Sequence, residues 1–130
     1  MSLTIDQAEN TTLNVPIVDN NSPVDVSTAT DIVLTLQKKQ AGNLPPFVGY
    51  SYSLNAAPGF GSLTINVNNT SLDIVIETTH SVNFEVGMYE ACIIVKTPDV
   101  SFITGSKRTQ YTSLNVLRVQ PGCNKTDLMP

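Results

Sequence analysis

The chain has 130 residues, the size of one domain that can bury a core of its own. Only 14% of its residues are charged, against roughly 25% in an average soluble domain, and a surface this poor in charge fits a protein that packs against neighbours. The net charge of −4 and the pI of about 4.6 argue against a nucleic-acid partner, which needs clustered Lys and Arg. The two basic pairs, Lys38-Lys39 and Lys107-Arg108, are expected to be solvated charges at turns or strand ends.

The first elements show the two-residue period of β-strands. Residues 12–17 alternate between polar and apolar, and Pro16 among them indicates an edge strand or a bulge. Residues 19–23 (Asp-Asn-Asn-Ser-Pro) predict a turn, because Asn and Asp tolerate left-handed backbone geometry. Residues 24–30 predict either a brief strand or a single helical turn.

The middle of the chain contains the next predicted strand and the most irregular stretch. Residues 31–36 alternate again, and Val33 adds a second apolar face, which is typical of a central strand. Residues 38–62 hold most of the Gly and Pro and predict an irregular loop insertion. Within it, residues 47–54 fit either a short strand or an extended loop.

The second half predicts a hairpin followed by the most apolar strand. Residues 63–67 and 72–77 alternate on either side of an Asn-Asn turn. Residues 78–84 predict a loop or a short edge segment, and residues 89–95 a strongly apolar strand.

Two last strands are predicted at residues 102–106 and 108–119, with Leu114, Val116 and Tyr111 on one face. Residues 120–130 predict an extended C-terminal tail without a packing pattern. Seven or eight short strands, and no helix of ten or more residues, favour an all-β domain over residues 1–119, specifically an immunoglobulin-like antiparallel β-sandwich.

The residues do not assemble into a recognisable catalytic or metal motif. The single histidine, His80, lies in a polar stretch and is interpreted as a surface or turn residue. One His and two distant Cys do not match a zinc site, and Gly59-Phe60-Gly61 lacks the Gly-Lys-Ser/Thr of a phosphate loop. Residues 19–25 fit a calcium loop or, more simply, a β-turn. We therefore expect no enzymatic activity and no cofactor.

Four aromatic residues mark the stretch 47–60. They form either an exposed cluster suited to a protein interface or plugs in the core, and composition leaves both alternatives open. These candidate contact residues are Phe47, Tyr50, Tyr52 and Phe60.

The two cysteines and the chain start bear on the compartment. Cys92 lies in an apolar run and Cys123 in a turn-like tail, so we expect two free thiols and synthesis in a reducing compartment, although a bridge between them is an alternative. No secretion signal and no apolar stretch of about 20 residues is visible, so we expect neither export nor a membrane partner.

Several short motifs occur in a characteristic order. They are residues 3–13, residues 23–30 (Pro-Val-Asp-Val-Ser-Thr-Ala-Thr), the Gly87-Met88-Tyr89 that leads into an apolar strand, and a closing strand at 113–119. Over residues 3–119 this order resembles the N-terminal domain of phage baseplate upper proteins. The chain departs from that family at residues 26–29, where the family usually shows Asp-Leu-Thr-Gly-Ala, and in lacking the fibre-like region with which relatives often continue. The resemblance implies an immunoglobulin-like module of a tailed phage.

Three functions follow as hypotheses. The first is a virion structural protein, made in the host cytoplasm, that attaches tail fibres or receptor-binding proteins to the baseplate. It would occur in several symmetric copies and bind other baseplate, fibre or capsid proteins. The second is a decoration or cement protein of the capsid, and the third is a carbohydrate-binding module or small enzyme, which the absence of Trp disfavours.

Overall fold

The structure, a computed structural model, describes residues 3–55 and 58–122. These form an all-β protein in which 57% of residues lie in strands. In chain order the elements are β1 (Leu3–Asp6), β2 (Thr11–Pro16), β3 (Val18–Asp19), β4 (Ser22–Pro23), β5 (Asp31–Lys38), β6 (Phe47–Ser53), β7 (Gly61–Ile65), β8 (Ser71–Ile76), α1 (Thr78–Ser81), β9 (Gly87–Pro98) and β10 (Ser106–Gln120).

Eight strands form one large sheet that closes almost into a barrel, in the order β1-β10-β9-β5-β6-β7-β8-β2. The pair β6–β7 is joined by only two residue pairs, Tyr52 with Gly61 and Ser53 with Ser62. This narrow seam divides the sheet into a five-stranded part, β1-β10-β9-β5-β6, and a three-stranded part, β7-β8-β2. The strands β3 and β4 form a separate small hairpin.

Two neighbouring pairs are parallel, β1 with β10 and β6 with β7. The prediction of a purely antiparallel sheet is wrong at these two places. For β1 and β10 the reason is that the two strands come from opposite ends of the chain, and a pairing at such separation leaves no signal in a local two-residue period.

One hydrophobic core lies between the two parts of the sheet. Alternate residues of β5 and β9 point inward, including Leu34 and Ile93, both fully buried. Alternate residues of β2 and β8 complete the same cluster from the other part, including Val15 and Ile74. Strand β5 lies between β9 and β6, which confirms its predicted central position.

The turn predicted at residues 19–23 is confirmed. Asn20 and Asn21 both have positive φ, 51° and 65°, as a two-residue hairpin turn of the primed type requires. Residues 24–30 contain neither the brief strand nor the helical turn that were predicted. Backbone hydrogen bonds hold this segment instead, from Val26 N–H to the Asn69 carbonyl and from Thr30 N–H to the Lys96 carbonyl.

The region 38–62 is more regular than predicted, because β6 lies inside it and pairs along β5. The open alternative for residues 47–54 is thus resolved in favour of a strand. The hairpin β7–β8 is confirmed, although β7 ends at Ile65 and Val67 is 97% exposed in the turn that follows. Residues 78–84, predicted as a loop or edge segment, begin with the single turn of helix α1.

The strands β9 and β10 form a long hairpin that corrects the prediction for the C-terminal part. The strand predicted at residues 102–106 is wrong for 102–105, because the connection between β9 and β10 runs from 99 to 105 and only Ser106 belongs to a strand, the first residue of β10. Strand β10 includes Gln120, which had been assigned to the tail. Residues 123–130, and with them any bridge from Cys123, lie outside the described residues, and Cys92 carries a free thiol.

A bulge in β10 corrects the predicted inward face. The register with β9 shifts between Ser113 and Leu117, and Asn115 has a φ of 56°. As a result Leu114 is 65% exposed, while Val116 is buried and Tyr111 packs against the core. A helix long and apolar enough to cross a membrane does not occur in the described part of the chain.

Candidate functional site

The four aromatic candidates do not form one exposed cluster. Tyr52 is fully buried, and Phe47 and Tyr50 are half-buried against the core, all three on β6. Phe60 lies outside the strand, just before β7, and is 39% exposed. Tyr52 is therefore a core residue, as the first of the two alternatives expects. Of the four aromatic residues, only Phe60 is exposed, as the other alternative expects.

Helix α1 brings His80 against the β6 tyrosines. The imidazole stacks on the Tyr50 ring at a centroid distance of 3.8 Å and an angle of 16°. Its Nδ1 accepts a hydrogen bond from the Glu77 backbone N–H at 3.2 Å, and the Tyr52 hydroxyl lies 3.3 Å from the same atom. Because a backbone N–H can only donate, Nδ1 is an acceptor here and the Tyr52 hydroxyl is the second donor.

This arrangement shifts the ionisation of both rings. Burial lowers the pKa of His80 below its usual 6.5, and the nearby Glu77 carboxylate opposes the shift only in part. Burial likewise raises the pKa of Tyr52 well above its usual value of 10. His80 is thus partly packed rather than freely solvated, and its Nδ1 is occupied by structural donors.

Two aspartates, Asp25 and Asp99, stabilise the turns in which they lie. Asp25 accepts hydrogen bonds from the N–H and hydroxyl of Ser27, at 2.8 and 2.6 Å. Asp99 accepts the same two bonds from Ser101, at 2.9 Å from the N–H and 2.5 Å from the hydroxyl. These bonds lower the pKa of both carboxyl groups. Across the described residues no three His, Cys, Asp or Glu side chains are grouped to hold a metal ion.

Two of the three most exposed large apolar side chains of the described residues, Val100 and Ile103, lie with the half-exposed Phe102 at the end of the β9–β10 hairpin, and these three are here called the apolar tip. Val100 is 99% exposed, Ile103 fully so, and Phe102 48%. These three exposed apolar side chains lie within one seven-residue connection, close together in sequence.

The backbone of this connection is held by its own hydrogen bonds. Asp99 N–H donates to the Gly105 carbonyl at 3.0 Å, and Gly105 N–H donates to the Phe102 carbonyl at 2.9 Å. Gly105 has a φ of 76°, a conformation that favours glycine. The backbone that carries the apolar tip is therefore ordered by its own hydrogen bonds.

A cleft of about 460 Å³ lies at the opposite end of the same hairpin, where β9 begins and β10 ends. Val86 and Met88, 45% and 36% exposed, contribute apolar surface to it. This Met88 cleft is lined by Val86, Gly87, Met88, Arg118, Val119, Gln120 and Pro121.

Sequence reasoning missed both ends of the hairpin. At residues 102–106, two apolar residues beside Thr104 were interpreted as a strand. The signal that identifies a loop is the pair of turn formers around them, Pro98-Asp99 before and Gly105 after. The Met88 cleft brings together residues about 30 positions apart, so no local pattern reveals it.

Comparison with protein-family models and with curated proteins gives no match to this chain.

Proposed function

We propose that this chain is a structural protein of a bacteriophage virion, an adaptor that attaches tail fibres or receptor-binding proteins to the baseplate. It acts through protein–protein contacts in several copies, without a cofactor and without catalysis. The observation that carries the proposal is the apolar tip. Val100 and Ile103 are almost entirely exposed on a hydrogen-bonded loop, and burying such side chains against a partner is favourable.

With this function we propose an immunoglobulin-like sandwich as the finer description of the fold. The pairing order supports it: β8 pairs with β2 and β7, while β9 pairs with β5 and β10. In immunoglobulin domains strand E lies between strands B and D in one sheet, and strand F lies between strands C and G in the other. The neighbours of β8 correspond to those of strand E, and the neighbours of β9 to those of strand F. The narrow β6–β7 seam joins the edges of the two sheets.

Tyr89 gives independent support for the same fold. It is fully buried near the start of β9, and its hydroxyl donates to the Glu85 carbonyl at 2.7 Å. Immunoglobulin-like domains carry a tyrosine at this corner, bonded to the backbone a few residues upstream. Tyr89 belongs to Gly87-Met88-Tyr89, one of the motifs on which the resemblance to phage baseplate upper proteins rests, so the same residue supports both parts of the proposal.

Immunogold electron microscopy of particles produced by the genome that encodes this chain tests the proposal. With an antibody against the purified protein, we expect label at the tail tip. Label spread over the head would replace the adaptor with a capsid decoration protein. Particles without label, from cells that contain the protein, would overturn the virion proposal altogether.

A further inference from the structure

We propose that a cleft around Glu90 is a binding site for a guanidinium group, with the Glu90 carboxylate as the acceptor of its hydrogen bonds. The cleft has a volume of about 290 Å³ and is here called the Glu90 cleft. It is lined by Lys39, Met88, Tyr89, Glu90, Leu114 and Asn115. The inference goes beyond the virion role proposed above and does not depend on it, because it concerns a polar site that is separate from the apolar tip.

The register of the β9–β10 hairpin places Glu90 opposite the bulge of β10. The residues on either side of Glu90 in β9 pair regularly, with Leu117 and Ser113. Glu90 itself therefore faces three residues, 114–116, where a regular ladder would offer one. Bulges are frequent beside functional sites, where they redirect side chains. Here the extra residues form one wall of the cleft.

The Glu90 side chain is buried without a partner. Glu90 is the one charged residue among the buried residues of the described chain, at 8% exposure. Its carboxylate forms no hydrogen bond and no ion pair with a described residue, and this includes Gln37, directly opposite on β5. A carboxylate that is largely removed from water without a partner is costly. A ligand that brings a positive charge and hydrogen-bond donors therefore finds both carboxylate oxygens free.

A guanidinium group fits this acceptor better than a metal ion or an ammonium group does. One carboxylate is too small a ligand set for a metal ion, and the described residues contain no group of three His, Cys, Asp or Glu side chains. Two free oxygens match the parallel N–H groups of guanidinium, which is more weakly hydrated than ammonium. Met88 and Leu114 offer apolar contacts to the methylene chain that carries the group.

The size of the cleft suits one such group and the side chain that carries it. Pockets for drug-sized ligands measure about 300 to 1,000 Å³, so a cleft of about 290 Å³ lies at the small end of the range. The guanidinium can belong to an arginine side chain of a partner protein or to free arginine, and different probes distinguish these two sources.

Two cations of the chain itself lie near the carboxylate, Lys39 in the lining and Arg118 opposite Met88. Neither forms an ion pair with Glu90. Lys39 is exposed at the rim, and its charge opposes the entry of a second cation. Removal of the Lys39 charge should therefore strengthen binding, whereas removal of the Glu90 charge should weaken it.

NMR titration of the isotopically labelled full chain with three probes tests the proposal. N-acetyl-argininamide carries the guanidinium as a protein does, free arginine adds charged termini, and N-acetyl-citrullinamide has nearly the same shape without the charge. We expect an arginine probe to bind with a millimolar dissociation constant and to shift the amide signals of residues 88–90 and 113–117. The citrulline amide should bind at least roughly tenfold more weakly. Binding of the arginine amide identifies a protein-borne arginine as the source, and binding of free arginine alone identifies the amino acid.

Three variants locate the binding energy. Glu90→Gln keeps the shape of the side chain and should weaken binding of the arginine probe roughly tenfold or more. Lys39→Gln should strengthen binding by roughly two- to fivefold, because it removes a competing charge. The matched control is Asp25→Asn, which also removes one negative charge, from an exposed carboxylate before β5, at the end of that strand remote from Glu90. This control should bind like the parent protein.

Failure of the parent protein to bind either form of arginine overturns the proposal. It does so even where Lys39→Gln binds, because the native carboxylate is then occupied by its own lysine. Equal affinities for the arginine and citrulline amides would also overturn it, as would equal affinities of Glu90→Gln and the parent protein while both are folded by circular dichroism. None of these measurements uses the virion, so such a failure leaves the result of the immunogold labelling, and the adaptor role, untouched.

Discussion

Tyr52 is fully buried at the end of β6, yet its hydroxyl has a partner, because α1 places His80 Nδ1 within 3.3 Å. A buried hydroxyl without a partner is costly. The same Nδ1 accepts the Glu77 backbone N–H, so a proton added at this atom would displace two hydrogen bonds. The lone histidine of the chain is thereby tied to the packing of the β6 aromatic residues.

Acidification is expected to lower the free energy of unfolding through His80. Its pKa is below 6.5 in the folded protein and returns to about 6.5 on unfolding, so the unfolded chain binds more protons in this interval. The contribution is fully present above pH 6.5 and is lost as the pH falls through the lowered pKa. Urea unfolding between about pH 7.5 and 5 measures it.

His80→Phe keeps an aromatic ring against Tyr50 and removes the titrating group. The free energy of unfolding of this variant should therefore change less with pH over the same interval. Because the chain has one histidine, NMR titration of its ring protons reports the folded pKa without ambiguity. A folded pKa at or above 6.5 would contradict the expectation.

Position 61 must be a glycine, because a side chain there would collide with the ring of Tyr52. A Cβ at this position would lie 2.6 Å from Tyr52 Cε2, and Tyr52 has no free space into which to move, since it is fully buried. We expect Gly61→Ala to destabilise the protein by about 1–3 kcal/mol, the usual range for overpacking a core. Thermal or urea unfolding measures the loss.

A double-mutant cycle identifies the cause. In a Tyr52→Leu background the ring is absent, so Gly61→Ala should have a much smaller effect there than in the parent protein. Equal losses in both backgrounds would show that the ring is not what excludes a side chain at Gly61.

At the scale of elements, Tyr89 stabilises the turn that leads from α1 into β9. Its ring packs against Phe84 at a centroid distance of 5.4 Å, and its hydroxyl donates to the Glu85 carbonyl. Burial raises the pKa of Tyr89 to about 12, so it remains a donor throughout the physiological range.

We expect Tyr89→Phe to reduce stability by about 1 kcal/mol, because it keeps the ring and removes one hydrogen bond. Urea unfolding at neutral pH provides the comparison. Tyr111→Phe is the matched control, since the Tyr111 hydroxyl makes no hydrogen bond to the described residues, and it should change stability little. Equal effects of the two variants would argue against a special role for the Tyr89 hydroxyl.

The elements that the sequence predicts well are those whose signals are local. Strands β5 and β9 follow from their alternation, and the β3–β4 turn follows from Asn20-Asn21, since only a few residue types accept positive φ at two successive positions. Helix α1 escaped prediction because one turn of four residues produces no helical period.

The remaining errors concern long-range or locally ambiguous features. The parallel partner of β1 is more than 100 residues away. The faces of β10 were wrong at Leu114 because a bulge inverts the alternation. The apolar tip was interpreted as a strand since apolar residues in a loop carry the same local pattern. The choice between core and exposed positions for the four aromatic residues stayed open for a related reason, because burial of Tyr52 depends on α1 and β7, which no local pattern connects to β6.

At the scale of the whole molecule, one core is shared by both parts of the sheet. Leu34 lies in the middle of β5, fully buried within that shared cluster. The two parts are therefore expected to unfold together in a single cooperative transition.

Leu34→Ala should destabilise the whole domain by about 2–5 kcal/mol, the range for deleting a buried leucine side chain. Leu114→Ala, at the exposed leucine of the β10 bulge, should fall within about 0.5 kcal/mol of the parent protein. Urea unfolding followed by two probes, far-UV circular dichroism and tyrosine fluorescence, gives both values. A large loss for Leu114→Ala would restore the inward orientation expected from the sequence.

The parallel pairing of β1 with β10 has a mechanical consequence. The register runs from Leu3 opposite Leu117 to Asp6 opposite Gln120, so the chain enters this pair at one end and leaves it at the other. A force that pulls the two chain ends apart slides the strands along each other and strains their hydrogen bonds together, instead of peeling them open one at a time. A molecule built in this way resists tension along the line between its ends.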